Sequence, residues 1–67
     1  MKNRWYIMVF GKGKGIYLSK SDSFFSSFEE GDIPEEAFFD NAVQANHIIY
    51  EKLKKYLDQC ALCKFIN

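Results

Sequence analysis

Sixty-seven residues leave room for one domain and one core, which excludes a multidomain machine. A composition that is 48% hydrophobic and 18% aromatic, with nine basic residues against nine acidic ones, excludes a disordered tail and a uniformly basic surface. The longest apolar run, residues 5–10, is far shorter than the roughly 18 residues a membrane-spanning helix needs, so no membrane partner is expected.

The N-terminus, MKNRWYIMVF, begins like a secretory signal. It leads into GKGKG without a small-residue cleavage pattern, so a cytoplasmic, intracellular protein is expected. Residues 5–10 are aromatic and β-branched and predict a first strand. Three glycines among residues 11–15 mark a tight turn, and Ile16, Tyr17 and Leu18 read as the returning strand of a hairpin. Ser21, Asp22 or Ser23 is suited to cap a helix in which Phe24, Phe25 and Phe28 share one face, ending near Gly31. Residues 35–39 predict a short third strand after Pro34. Asp40 or Asn41 then caps a last helix of about five turns, with Val43, Ile49, Tyr56, Leu57 and Cys60 near a 3.6-residue period. After Cys63 the pattern dissolves, so residues 51–67 read as an extended C-terminal helix and tail.

The order ββαβα predicts one α+β domain over residues 1–67: a small three-stranded antiparallel sheet with two helices packed on one face. Its expected core is Trp5 or Tyr6, then Ile7, Val9, Ile16, Phe24, Phe28, Phe39, Val43, Ile49 and Leu53.

Zero net charge hides a division along the chain. Residues 1–20 carry Lys2, Arg4, Lys12, Lys14 and Lys20 and no acid. Residues 21–40 carry seven acids, among them Glu29, Glu30, Asp32, Glu35 and Glu36, and no base. A basic Gly-rich turn lets lysines and backbone amides approach phosphates. It is not a phosphate-binding P-loop, because it joins two strands rather than opening a helix. The simpler reading is a solvated turn with lysines for solubility, and the acids equally suit helix N-termini.

Catalysis is not expected: His47 stands alone and the carboxylates show no metal-ligand spacing. Cys60 and Cys63 form one CxxC, two ligands where structural zinc takes four, so neither metal nor cofactor is expected. The motif also follows a helical pattern instead of opening a helix, unlike a redox CxxC.

The stretch from Trp5 through Phe10 and GKGKG to Gly15-Ile16-Tyr17 resembles the start of the caulimovirus viroplasmin domain, itself similar to the N-terminal hybrid-binding domain of ribonuclease H. Phe38, Phe39 and Ala45 sit at about the distances that family shows, and the likeness covers residues 5–50. It implies a non-catalytic module that binds RNA–DNA hybrid or double-stranded RNA, with Lys12, Gly13, Lys14, Tyr17 and Lys20 as contacts. The family's tryptophan after Gly-Ile-Tyr is Lys20 here, and its lysine-bearing third strand reads Glu35-Glu36-Ala37-Phe38-Phe39. Those departures motivate an alternative: a protein-interaction module, virus- or phage-encoded, that meets a basic protein through Glu29, Glu30, Asp32, Glu35 and Glu36. Homodimerisation through the last helix and Phe65-Ile66 is compatible with either reading.

Overall fold

The computed structural model describes residues 3–11, 14–26 and 33–66. It is a small α+β domain around an antiparallel sheet. Strands β1 (Asn3–Val9), β2 (Ile16–Leu18), β3 (Ser23–Phe25) and β4 (Cys60–Ile66) lie in the order β3-β2-β1-β4. Helix α1 (Ala42–Lys52) is flanked by two 3-10 helices, Glu35–Ala37 and Lys54–Gln59.

The expected hairpin is present, with Met8 opposite Ile16 and the Val9 amide donating to the Gly15 carbonyl at 2.9 Å. Gly11 turns the chain at φ +127°, a region open to glycine but hardly to other residues. Gly15 serves a different need: β3 passes so close that a Cβ there would overlap the Phe25 carbonyl. The β2–β3 connection spans residues 19–22 and closes on Asp22 in the left-handed region at φ 51°. Asp tolerates that conformation better than most residues, and its carboxylate accepts a 2.5 Å hydrogen bond from the Tyr17 hydroxyl.

Three expectations are corrected. The helix expected from residue 21 onward is, over Ser23–Phe25, strand β3. Phe24 and Phe25 point to opposite faces of the sheet, as strand neighbours must. Phe28 and Gly31 lie outside the described residues. The third strand expected over residues 35–39 is a 3-10 turn followed by a single bridge, in which Trp5 and Phe39 exchange hydrogen bonds of 2.9 and 2.8 Å. The extended helix and tail expected over residues 51–67 stays helical only to Lys52; a 3-10 segment and then β4 follow, and β4 pairs with β1 from Asn3↔Ile66 to Val9↔Cys60. The described sheet therefore has four strands rather than three.

The sheet buries both faces. Ile7, Val9 and Tyr17 meet Ala45, Ile49 and Leu53 of the α1 side, with Phe39 beside them. Tyr6, Ile16 and Leu18 meet Ala37 on the other side. Helix α1 is capped by Asn41, whose side-chain oxygen accepts from the Gln44 amide at 2.7 Å. Ala45, Ile49 and Leu53 recur every four residues and form its inward stripe. Val43, expected in the core, is 79% exposed because it stands off that stripe. Among the described residues no helix is long and apolar enough to cross a membrane.

Tyr17 is 1% exposed, and its hydroxyl is pushed up to about pKa 12, first by burial and then by the Asp22 carboxylate. A raised acid pKa means the folded state keeps a proton that the unfolded chain loses. Stability from this pair is therefore complete below the unfolded value near 10 and is lost as pH rises toward 12. A chemical-denaturation series across that window is expected to show this loss in the wild type. The Tyr17→Phe variant is expected to lack that component of the decline.

Candidate functional site

Two clusters of polar and aromatic side chains stand at opposite ends of β2. The first lies beside the hairpin tip. The amide of Lys14 donates to the Gly11 carbonyl at 3.2 Å, which brings the side chain back over the α1 side of the sheet. Its ammonium stands 5.1 Å from the centroid of Phe24 and 4.9 Å from that of Tyr56. The two rings meet edge to face at 6.0 Å, and Phe24 also packs on Tyr17 at 5.9 Å. Lys55, from the second 3-10 helix, places its own ammonium 5.3 Å from the Tyr56 centroid. Among the described residues neither lysine pairs with a carboxylate. Both ammoniums therefore stand within cation–π reach of the Tyr56 ring, with no carboxylate among the described residues to neutralise them. Such a pair attracts a phosphate oxygen or another anion, and the neighbouring rings offer stacking surface.

The second cluster is an open cleft of about 260 Å³ between the β2–β3 connection, residues 35–40 and the start of α1. Ser19, Lys20, Glu35, Glu36, Asp40 and Gln44 contribute its polar groups. Glu35 is already engaged by Arg4 at 2.6 Å. The Arg4 guanidinium also stacks 3.9 Å from the Phe38 centroid, with Phe65 at 5.9 Å. Arg4 thus pins residues 35–38 to the face of the sheet away from α1. Its charge is spent on structure.

The residues singled out from sequence separate accordingly. Lys14 and Lys20, expected to act together, stand at the two ends of β2. Lys20 instead shares the cleft with Glu35 and Glu36, which had been assigned to the competing reading. Tyr17 is a core residue rather than a surface contact, because its ring is buried and its hydroxyl is taken by Asp22. Lys12, Gly13, Glu29, Glu30 and Asp32 lie outside the described residues. Sequence reasoning missed Lys55 and Tyr56 as neighbours of the hairpin. Their approach depends on the end of α1 at Leu53, which no Gly or Pro announces.

Compared with known proteins, the chain matches no family model, no curated protein and no solved structure. Function must therefore be read from these side chains.

The remaining titratable groups narrow the choice. His47 bonds Glu51 one helical turn away at 3.1 Å, and both are exposed. The two cysteines sit three residues apart on a strand, so they face opposite sides of the sheet: Cys60 toward α1, Cys63 away from it. They cannot grip one ion or close a disulfide with each other within the chain. Burial pushes the Cys60 thiol up, which lowers its thiolate fraction at neutral pH. Among the described residues no three His, Cys, Asp or Glu side chains converge as ligands for a metal.

Proposed function

We propose that this domain is a non-catalytic nucleic-acid-binding module whose contact surface is the hairpin tip and the second 3-10 helix. The observation that carries the reading is the convergence of Lys14 and Lys55 on Tyr56, with no carboxylate partner among the described residues. Lys12 belongs to the same turn in sequence and adds charge to it. Phosphates supply the affinity, because counterion release rewards lysines that are not already neutralised. The favoured ligand is an RNA-containing duplex, RNA–DNA hybrid or double-stranded RNA, as the viroplasmin-like opening implies. Shape and 2′-hydroxyl contacts would then distinguish it from DNA. The two free thiols fit a reducing, intracellular setting.

The test is fluorescence anisotropy with hybrid, double-stranded RNA and double-stranded DNA at two salt concentrations. Each lysine that neutralises a phosphate contributes about 0.9 to the slope of log K against log salt on duplex DNA. Lys14→Ala with Lys55→Ala is expected to flatten the slope by roughly 2 and to weaken binding while the far-UV circular dichroism stays unchanged. Wild-type protein that binds none of the three at low salt would sink this reading.

The acidic cleft favours a second reading, a site for a basic segment of another protein. Glu36 and Asp40 stand there with only Lys20 as a nearby cation in the lining, Arg4 being occupied by Glu35. Glu36→Lys with Asp40→Lys should abolish capture of a lysine-rich peptide if that reading holds, and should leave duplex binding intact.

A further inference from the structure

Among the described residues β4 is an edge strand with a complete row of unused backbone groups. The hydrogen bonds around β1 show which groups these are. Trp5 exchanges its bonds with Phe39, and the Val9 amide donates to Gly15, so odd-numbered residues of β1 address the β2 side. The Phe10 amide donates to the Gln59 carbonyl at 2.7 Å, so even-numbered residues address β4. Through the register Arg4↔Phe65, Tyr6↔Cys63 and Met8↔Ala61, residues 61, 63 and 65 spend their backbone groups on β1. The N–H and C=O groups of Cys60, Leu62, Lys64 and Ile66 therefore point outward. Among the described residues nothing pairs with them.

Natural edges are usually blunted by proline, a bulge, several charges or short length. β4 has seven residues, no proline, an unbroken register with β1 and one charge, Lys64. That charge is drawn back over the sheet: its ammonium stands 5.7 Å from the Trp5 centroid. The opposite edge of the sheet, β3, has only three residues.

We propose that β4 pairs antiparallel with β4 of a second copy of this chain, joining the two sheets edge to edge about a twofold axis at Cys63. The register follows from the strand itself. Pairing all seven residues puts residue 63 opposite its own copy, Leu62 opposite Lys64 of the partner subunit, and Cys60 opposite Ile66 of the partner subunit. The outward backbone groups then fall opposite one another as hydrogen-bonded pairs. A shift of two residues toward the C-terminus would put the two Lys64 charges face to face. The same shift toward the N-terminus leaves residues 65 and 66 unpaired. Pairing β4 with a partner's β3 would use three residues and leave an open-ended array, whereas β4 with β4 closes as a dimer. The dimer rests on the backbone groups of the β4 edge, not on Lys14 or Lys55, so it does not depend on the nucleic-acid reading.

This register makes a chemical prediction. Residue 63 forms a non-hydrogen-bonded pair with its copy, which brings the two Cα atoms to about 4.5 Å, within disulfide reach. Both Cys63 side chains then emerge on the same face, the one away from α1. Diamide added to the dimer should join the two sulfurs, the two thiol hydrogens passing to its N=N bond to give the hydrazine. Light scattering coupled to gel filtration is expected to give twice the 7.9 kDa chain mass under reducing conditions. After diamide, a covalent dimer should appear in wild type and Cys60→Ala and be absent in Cys63→Ala. Lys64→Pro removes one outward N–H and leaves the β1 ladder intact, so it should yield a monomer with unchanged circular dichroism. A wild-type protein that stays monomeric at its highest soluble concentration would overturn the proposal. So would a dimer that survives Lys64→Pro with no covalent product, or one that crosslinks through Cys60.

Discussion

Gly15→Ala is expected to destabilise the domain by about 1 to 3 kcal/mol, a large share of what a chain this small has to spare. Its backbone is not in a left-handed conformation, so the effect does not come from φ. It comes from approach: the added methyl would overlap the carbonyl of Phe25, and the Cα of Ser26 is only 3.0 Å from it. Both obstacles are backbone, which cannot rotate aside as a side chain can. Relief therefore requires β3 to move from β2. That movement would break the pairs Ile16↔Phe25 and Tyr17↔Phe24 and uncover the Phe24 ring beneath Lys14. Urea titration followed by tryptophan fluorescence measures the loss. An unchanged midpoint would show that β3 does not pack against Gly15 as described.

The second large effect separates two residues that the sequence pattern alone places together. Leu53→Ala should cost about 2 to 5 kcal/mol, because Leu53 is 2% exposed and fills the core between α1 and β1. Val43→Ala should change stability by no more than about 0.5 kcal/mol, since Val43 projects into solvent. The pair tests the rotation of α1 about its axis. Equal losses from the two variants, measured by the same urea titration, would place Val43 inward and rule out the stripe of Ala45, Ile49 and Leu53. The Leu53 variant should also loosen the second 3-10 helix, because its Tyr56 packs against the core cluster that contains Leu53. A weakened Lys55–Tyr56 position should then reduce duplex affinity in proportion to the loss of structure.

Much of the fold was legible before any coordinates. The β1–β2 hairpin announced itself because aromatic and β-branched residues flank a run that only glycines allow to turn so sharply. The start of α1 was equally plain, since the capping signal is local; the sequence offered Asp40 or Asn41, and the structure uses Asn41. The antiparallel α+β class followed from these two elements and the size of the chain.

β3 and β4 were not legible, and for the same reason. A strand shows a period of two only when one face is polar. Phe24 and Phe25 are adjacent because one packs toward Tyr17 and Tyr56 and the other toward Ile16 and its neighbours on the far face. Cys60 and Leu62 pack toward α1 while Cys63 and Phe65 pack away from it, so apart from Lys64 β4 alternates one apolar residue with another. In one dimension such runs look like the face of a helix. The candidate site shared this fate. Lys14 could be picked out as a turn lysine, but Lys55 reaches the same ring from forty-one residues away, and only the closure of β4 against β1 brings the second 3-10 helix back to the hairpin tip. Local chemistry set the hairpin and the helix cap. The partners of β1, and with them the neighbours of Lys14, were chosen by the need to satisfy both backbone edges of a strand whose two faces are already covered.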